Sequence, residues 1–452
     1  MTATATQTTV LPTLLRFHEQ VSDALRRVGA RHAGTGFHPE FALPAIDDRV
    51  AGYFAAADLR IDDLGETAGC RLLLLDLTRN PRTRTTKTVA SLVMVARAVR
   101  HIQRTGEPIM IVTPSSANKA TALRDAVLRA YEHELVTPAQ LQIVTVVPGV
   151  ARHKLWASPL DAPARSGRNP MCVHHGSHPS DVKAVAEAAV AAVTPELRQR
   201  HGINVWYSLS LDNYRPADTV RAFAEQELRP VAPGVRRVHA HSVSSAYGLL
   251  GHHFGTTLAP GDTPPPGYLL VQHLATPDMV LSLHRGSPDR AGLPAYRLDP
   301  ASGLHVQDED PRFPAATHDP DENLEPTFYT RTPVTSDEMN GIIRAQGGGG
   351  IVVSLHECLQ RYARIRHLLA GTDVRLPADP RRLREWSLVM AFTGVLNALE
   401  RGLVEADEIM VHGSGSYSTD DFDVVPDDLL TTVPDASALA DVLLRAAAAD
   451  RR

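Results

Sequence analysis

The chain has 452 residues, of which 43% are hydrophobic and 21% charged, and its net charge at pH 7 is −5. This composition is that of an ordinary globular protein, and the weak acidity gives no electrostatic reason to expect nucleic acid or an anionic membrane as a partner. No apolar run approaches the roughly 18 residues of a membrane span. The N-terminal stretch MTATATQTTVLPTLL lacks a basic segment before its apolar part, so we expect no secretory signal.

The cysteines and histidines indicate neither a disulfide framework nor a metal site. Cys70, Cys172 and Cys358 are scattered without CxxC spacing, which favours the reducing environment of the cytoplasm. The 21 histidines include adjacent pairs but no HExxH or comparable set of ligands. We therefore predict that the protein binds no metal.

Short apolar runs alternate with helical patterns along the chain, which indicates an α/β architecture. The predicted strands are residues 71–77, 109–113, 142–147, 268–272, 351–355 and 408–412. The predicted helices are residues 87–103, 117–133, 179–192, 217–227, 336–346, 356–370, 379–401 and 436–449. Two stretches rich in Pro, Gly, Asp and Arg, residues 150–170 and 260–327, are interpreted as long excursions or insertions.

A polar loop, NPRTRTTKTVAS (residues 80–91), connects the first predicted strand to a helix. Lys87 then stands at the start of that helix, where the positive end of the helix dipole disfavours a protonated amine. This placement suits an amine that forms a Schiff base. The alternative is an ordinary surface lysine.

Four further loops join strands to helices and are rich in hydroxyl and amide side chains. Loops of this kind bind anions through free backbone N–H groups, although each one is also explained by a simple helix cap or turn. Their sequences are TPSSANKATALRD (113–125), WYSLSLDNYR (206–215), HSVSSAYGLLG (241–251) and HGSGSYSTD (412–420).

In this order the loops resemble the motifs of fold-type II pyridoxal-phosphate (PLP) enzymes, and of threonine synthase in particular. NPRTRTTK is similar to the segment Asn/Pro-Thr-x-x-x-Lys that holds the PLP-binding lysine. SSANKATALRDA is similar to the Ser-Ser-Gly-Asn-x-Gly loop, and SLDNYR to the substrate-phosphate segment Ser-Ile-Asn-Pro-x-Arg. The resemblance runs from about residue 76 to residue 420, interrupted by the two excursions.

The resemblance implies a two-domain fold like that of the tryptophan synthase β chain, with twisted, mostly parallel sheets flanked by helices. Residues 1–87 and 201–452 would form a large cofactor-binding domain, and residues 88–200 a small domain. It also implies a cytoplasmic homodimer.

The resemblance further implies a PLP-dependent lyase or synthase of the carbon–oxygen lyase type. The enzyme would catalyse β- or γ-elimination or replacement on an amino acid with a phosphate- or acyl-bearing side chain. The implied roles are PLP attachment and proton transfer for Lys87; contact with the PLP ring oxygen for Asn118; PLP phosphate binding for Ser242, Ser244 and Ser245; contact with the pyridine nitrogen for His412 or Ser414; and substrate binding for Ser115, Ser116, Ser210 and Arg215.

The sequence departs from the family pattern at several of these positions. Ala117 and Ala120 replace glycines, which crowds the approach of the backbone to a ligand, and the loop 242–246 contains no glycine. His412 stands where a threonine is usual. These departures predict a diverged enzyme of secondary metabolism.

Two alternatives remain open. A protein of the same fold that has lost PLP would act as a binding or partner protein. The second alternative is a phosphate- or nucleotide-binding α/β enzyme without PLP, but the chain lacks GxGxxG and Walker motifs.

Overall fold

The computed structural model describes residues 9–34, 36–259 and 264–449. The first eight residues of the N-terminal stretch and residues 260–263, at the start of the second predicted excursion, lie outside the described residues. Contacts between residues divide the chain into two compact units. Unit 1 comprises Met1–Leu11, Asp58–Arg79 and Arg221–Asp421, and unit 2 comprises Pro12–Ala57, Asn80–Val220 and Phe422–Arg452.

Fifteen strands are formed by the described residues. They are β1 (Leu11–Pro12), β2 (Asp58–Thr67), β3 (Cys70–Asp76), β4 (Ile109–Pro114), β5 (Leu141–Pro148), β6 (Met171–His174), β7 (Asn204–Tyr207), β8 (Arg237–Ser242), β9 (Gly267–His273), β10 (Arg297–Asp299), β11 (Leu304–Val306), β12 (Ala316–Thr317), β13 (Gly348–Val353), β14 (Glu408–Gly413) and β15 (Leu430–Thr432).

Fourteen α-helices accompany these strands within the same described ranges. They are α1 (Thr13–Arg16), α2 (His18–Gly29), α3 (Asp48–Phe54), α4 (Thr88–Thr105), α5 (Asn118–Glu132), α6 (Pro163–Ser166), α7 (Asp181–Glu196), α8 (Val220–Leu228), α9 (Tyr247–Leu258), α10 (Asp278–Arg285), α11 (Ser336–Gln346), α12 (Leu355–Leu368), α13 (Ser387–Glu400) and α14 (Ala436–Ala448). None of them is long and apolar enough to cross a membrane.

Unit 2 is built on a parallel sheet with the strand order β15-β6-β5-β4-β7. Every residue of β4 and β5 is buried, as expected for parallel strands covered on both faces. Helices α4 and α5 pack against each other, and α14 packs against α7. The bounds of this unit, Pro12–Ala57, Asn80–Val220 and Phe422–Arg452, differ from the small domain 88–200 expected from the sequence. Its C-terminal part joins the unit because β15 pairs with β6 and α14 packs against α7.

Unit 1 contains a seven-stranded sheet with the order β1-β2-β3-β14-β8-β9-β13. The hairpin β2–β3 is antiparallel, and the strands from β3 to β13 run parallel. One face is apolar and packs against α12 and α13. The contact is close at Gly394 of α13, where a Cβ atom would lie 2.6 Å from Val271.

The opposite face of the unit 1 sheet carries buried polar side chains. His239 and His241 of β8 alternate with the apolar Ala240, as side chains do along a strand, and His412 of β14 and Tyr268 of β9 are also buried. The composition of β8 (RVHAHS) explains why the apolar runs of the sequence did not predict it. The histidines of β8 and β14 are therefore part of the interior.

Two predicted segments need correction. The stretch 260–327 is not an excursion throughout: it contains β9, which was predicted as the strand 268–272, and the unpredicted α10, both in the core of unit 1, and then the small antiparallel sheet β10-β11-β12. Within the predicted helix 379–401, only Ser387–Glu400 is α-helical. Asp379 caps a short 3₁₀ turn instead, and Arg384 donates its backbone N–H to the carbonyl of Tyr417 (2.9 Å), which draws this segment out of a helix.

Candidate functional site

The lysine loop is held in place by the side chain of its first residue. Asn80 donates to Asp125 of α5 (2.8 Å) and accepts from Arg129 (3.1 Å). The loop ends at Lys87, the N-cap residue of α4, whose Nζ lies 5.9 Å from the ring centroid of Tyr214. Lys87 is half-buried. The loop therefore presents an amine at the start of a buried helix, as the sequence predicted.

The loop after β4 keeps a glycine-like backbone without a glycine. Ala117 has φ +92° and ψ −59°, a left-handed conformation that costs an alanine about 1–3 kcal/mol. The hydroxyl of Ser115 accepts from the backbone N–H groups of Ala117 (3.2 Å) and Ala120 (2.8 Å). Ser115 thus shapes the loop, whereas Ser116 and Asn118 are half-buried and remain candidates for ligand contacts.

This geometry predicts opposite responses to glycine at two neighbouring positions. Ala117→Gly relieves strain, which offsets the roughly 0.8 kcal/mol lost with a buried methyl group. Ala120→Gly lies in the first turn of α5 and loses both a methyl group and about 1 kcal/mol of helix propensity. Urea unfolding should find Ala117→Gly more stable than Ala120→Gly by at least about 1 kcal/mol; equal losses would contradict a strained loop.

The segment 208–214, which follows β7, is anchored by a buried arginine. Arg97 is fully buried and donates to the side chain of Asn213 (2.7 Å), and Asn213 donates to the carbonyl of Ser208 (3.0 Å). Burial lowers the pKa of Arg97 to about 9. The hydroxyl of Ser210 accepts from the backbone of Asp212 (3.2 Å) and so caps a 3₁₀ turn. Ser210 and the half-buried Arg215 of the predicted substrate clamp lie at and just beyond this anchored segment.

Sequence reasoning missed Lys119, which follows the predicted Asn118. Its side chain is buried, and its Nζ donates to the hydroxyl of Ser208 (3.3 Å). Burial, together with the positive charges of Lys87 and Lys183, lowers the pKa of Lys119 to about 7. A compositional signal could have found it: only four of the 46 basic residues in the chain are lysines.

In unit 1, the hydroxyl loop lies between β8 and α9. Ser242 is buried and donates to the hydroxyl of Ser414 (3.2 Å), which follows β14. Ser244 and Ser245 are half-buried. Ala246 has φ +51°, the left-handed conformation, and immediately precedes the first turn of α9. The loop thus presents two accessible hydroxyl side chains before a helix of 12 residues, an arrangement suited to a phosphate group.

His412 belongs to a buried hydrogen-bond network. Arginine can only donate, so Arg221 donates to Nδ1 of His412 (3.2 Å), and the His412 proton lies on Nε2. That proton is directed at Nδ1 of His239 (2.9 Å). Because both ring nitrogens of His412 are engaged, Ser414 is the better candidate of the two for contact with a pyridine nitrogen.

The same network continues to a carboxylate. Glu225 accepts from Nε2 of His252 (2.8 Å) and pairs with Arg237 (2.6 Å), and its Oε1 lies 3.4 Å from Nε2 of His239. Tyr268 donates to Nδ1 of His252 (2.9 Å). Burial, together with repulsion from neighbouring cationic groups, lowers the pKa of His252 to about 4 and that of His412 well below its ordinary value.

Three of these histidines lie as close together as metal ligands do. One ligand atom each from His239, His252 and His412 falls within 4.8 Å of the others. The hydrogen bond from Arg221, however, places a proton on the His412 nitrogen that faces His239. A metal would have to displace that proton and its arginine partner, so we interpret the cluster as a hydrogen-bond network.

The predicted site residues therefore fall into two sets. Unit 2 brings together the loops that carry Lys87, Ser115, Ser116, Asn118, Ser210 and Arg215. Unit 1 brings together the strand ends that carry Ser242, Ser244, Ser245, His412 and Ser414. A cavity of about 330 Å³ in unit 1 is lined by other residues, among them Glu225, His253 and Gln346.

Comparison with solved structures identifies the fold. The PLP-bound threonine synthase of Brucella melitensis superposes with a TM-score of 0.52 at 11% identity, over 96% of this chain and 84% of that one. Yeast threonine synthase superposes with a TM-score of 0.51 at 12% identity, over 86% of this chain and 81% of that one. The protein has the α/β fold of fold-type II PLP enzymes, as the motifs predicted.

The chain belongs to a family of unknown function, DUF6002, whose model matches residues 9–447. No curated protein matches it in sequence.

Proposed function

We propose that the protein is a PLP-dependent enzyme that eliminates or replaces a leaving group on the β or γ carbon of an amino acid, in the manner of threonine synthase. The observation that carries the proposal is the left-handed Ala117. An alanine held in the conformation of a glycine indicates that the shape of the loop matters more than its cost in stability. A cytoplasmic homodimer with a role in secondary metabolism is part of the same proposal.

The residues present fit the cofactor. Lys87 supplies a half-buried amine at the start of α4, and Asn118 follows the strained turn. In unit 1, Ser244 and Ser245 present hydroxyl groups at the start of α9, where backbone N–H groups and the helix dipole favour a phosphate. Both loops thus offer the polar groups that PLP requires, each within its own unit.

When bound, PLP supplies an electron sink for a carbanion at the substrate Cα. Lys87 would attach the cofactor and then, as a free amine, take and return the proton at Cα. Asn118 would donate to the ring oxygen, and Ser414 would meet the pyridine nitrogen. Ser116 and Arg215 would orient the substrate through its carboxylate or phosphate, with Ser115 and Ser210 shaping the backbone around it.

The test is uptake of PLP by the purified protein. We expect added PLP to give the visible absorption of covalently bound cofactor, and borohydride reduction followed by peptide mapping to find the label on Lys87. Because the chain has four lysines, the map distinguishes Lys87 from each of the others. A protein that stays colourless and retains no PLP would favour the alternative of a fold that has lost its cofactor. If the protein takes up PLP, the amino acids that perturb its absorption band identify the substrate class.

A further inference from the structure

The cavity of about 330 Å³ in unit 1 is lined by none of the predicted site residues. It lies where the C-terminal ends of three helices meet. Glu225 belongs to the last turn of α8, Thr256 belongs to the last turn of α9, and Gln346 is the last residue of α11. The segment 264–266, which leads into β9, completes the wall. A volume of this size suits a small-molecule ligand.

The groups that surround the cavity favour a positive charge inside it. A helix carries a partial negative charge at its C-terminal end, where the last carbonyl groups lack partners within the helix. Glu225 adds a buried carboxylate, and its ion pair with Arg237 (2.6 Å) keeps it ionised. Among the described residues that line the cavity there is no lysine or arginine. A cation is therefore favoured over a neutral or anionic ligand.

Two arginines belong to the same buried network as Glu225, but neither is among the residues that line the cavity. Arg237 pairs with both Glu225 and Glu408, so two carboxylates share one guanidinium. Arg221 lies one turn before Glu225 on α8 and donates to Nδ1 of His412 (3.2 Å). The carboxylate of Glu225 is therefore the charged group that the wall presents to a ligand.

Much of the remaining wall is apolar, and it carries a buried hydrogen-bond acceptor without a partner. Prolines contribute at Pro230 and throughout the segment 264–266, and Pro230 is exposed at the rim, where the cavity opens to solvent. Oε1 of Gln346 is buried and has no hydrogen-bond partner among the described residues. A buried acceptor that is left unpaired is costly, and an N–H group of a ligand would satisfy it.

We infer that this cavity binds a small organic ammonium ion that has an apolar body. The N–H group of the ligand would donate to Gln346, its charge would lie in the field of Glu225, and its apolar part would pack against the prolines. The site is separate from the residues proposed to hold PLP and its amino-acid substrate, and it lies wholly within unit 1.

The test compares ligands of similar size by isothermal titration calorimetry of the full chain. N,N-dimethylbenzylamine is a cation at neutral pH, carries one N–H group and cannot form an imine with PLP. We expect it to bind saturably, with a Kd of about 1 mM or tighter. The neutral N,N-dimethylbenzamide should bind at least about tenfold more weakly, and the anion phenylacetate more weakly still.

A ligand and a variant together isolate the role of Gln346. Benzyltrimethylammonium keeps the positive charge but has no N–H group. Gln346→Leu removes the acceptor at a half-buried position. This substitution should weaken the binding of N,N-dimethylbenzylamine about tenfold, because a hydrogen bond to a charged donor is lost. It should leave the binding of benzyltrimethylammonium within about twofold of that to the unaltered protein.

A matched pair of substitutions on α8 isolates the charge of Glu225. Glu225→Gln should weaken the binding of both cations about tenfold. Glu227→Gln removes the same charge from an exposed residue of the same helix that does not line the cavity. Its effect should stay below about twofold, because solvent screens an exposed charge. Ala222→Leu, which places extra atoms at a buried part of the wall, should abolish binding.

Equal affinities for the amine and the amide would overturn the inference. So would amine binding that is unchanged in both Gln346→Leu and Ala222→Leu, and this result does not depend on whether Glu225→Gln folds. The outcome is separable from that of the proposed function. A protein that binds the amine but takes up no PLP would support the ammonium site and reject the enzyme. Labelling of Lys87 by PLP in a protein that binds no amine would do the opposite.

Discussion

Glu225→Ala is expected to lower the free energy of unfolding of unit 1 by about 3–5 kcal/mol. The carboxylate accepts from His252 and pairs with Arg237, whose side chain is 1% exposed. Its removal leaves a buried guanidinium with one carboxylate, Glu408, in place of two, and removes the acceptor of His252. The cost comes from stranding buried donors, which water cannot reach in the folded protein.

The controls separate this network from a general effect on α8. Glu225→Gln keeps an acceptor but loses the charge, so it should cost less than Glu225→Ala. Glu227→Ala changes an exposed glutamate on the same helix and should cost less than about 0.5 kcal/mol. Hydrogen-exchange mass spectrometry of peptides from β8 and α9 reports the opening of unit 1 by itself. Equal exchange in Glu225→Ala and Glu227→Ala would show that the network contributes little.

Acid should destabilise unit 1 well before its carboxylates are protonated. Burial lowers the pKa of His252 to about 4 and of His273 to about 3, and it lowers the pKa of His412 well below its ordinary value. In the unfolded chain each of these histidines takes up a proton near pH 6.5. Each histidine therefore lowers the free energy of unfolding as the pH falls below its pKa in the unfolded chain. This loss continues until the pH reaches the lower pKa of the folded protein.

The expected loss is about 2 kcal/mol at pH 5 for each of His252 and His273, with His412 adding a loss in the same direction. Urea unfolding followed between pH 7.5 and about 4.5 measures the slope. His273→Asn should reduce the slope of the free energy of unfolding against pH by the amount that corresponds to about one proton taken up on unfolding. The amide keeps a hydrogen-bonding side chain beside Thr276 but does not titrate. A stability that is flat between pH 7 and 5 would contradict neutral buried histidines.

The loops of the candidate site were predictable because their chemistry is local. A strand followed by hydroxyl and amide residues and then by a helix forms a pattern of consecutive residues. This pattern predicted the loops that carry Lys87 and Asn118 and the loop 242–246. The bounds of several elements followed for the same reason; α11 was predicted to the residue. The backbone conformation of Ala117 could not be read in this way. The alanine suggested that the loop had changed, whereas its positive φ keeps the shape that a glycine would allow.

Contacts between residues distant in sequence lay beyond prediction. Arg221 and Glu225 lie on the predicted helix 217–227, to which the sequence assigned no role, and they contact three histidines that come from β8, α9 and β14. The neighbouring residues in sequence do not distinguish a buried histidine from an exposed one, because burial depends on which other elements pack against that face of the sheet. The position of His412 in its motif suggested a cofactor contact, whereas its partners in space occupy both ring nitrogens.

The sequence by itself determined the α/β class, six of the strands and the lysine loop, because alternating apolar periodicity and loop chemistry depend only on neighbouring residues. Tertiary structure alone decided which polar residues are interior. It joined β15 to β6 and so placed the C-terminal helix in unit 2. It buried histidines on one face of the unit 1 sheet, and it brought Lys87 and Lys119 to the segment after β7. Each of these depends on pairings across long stretches of chain, which fix the burial and charge of a side chain without leaving a local pattern.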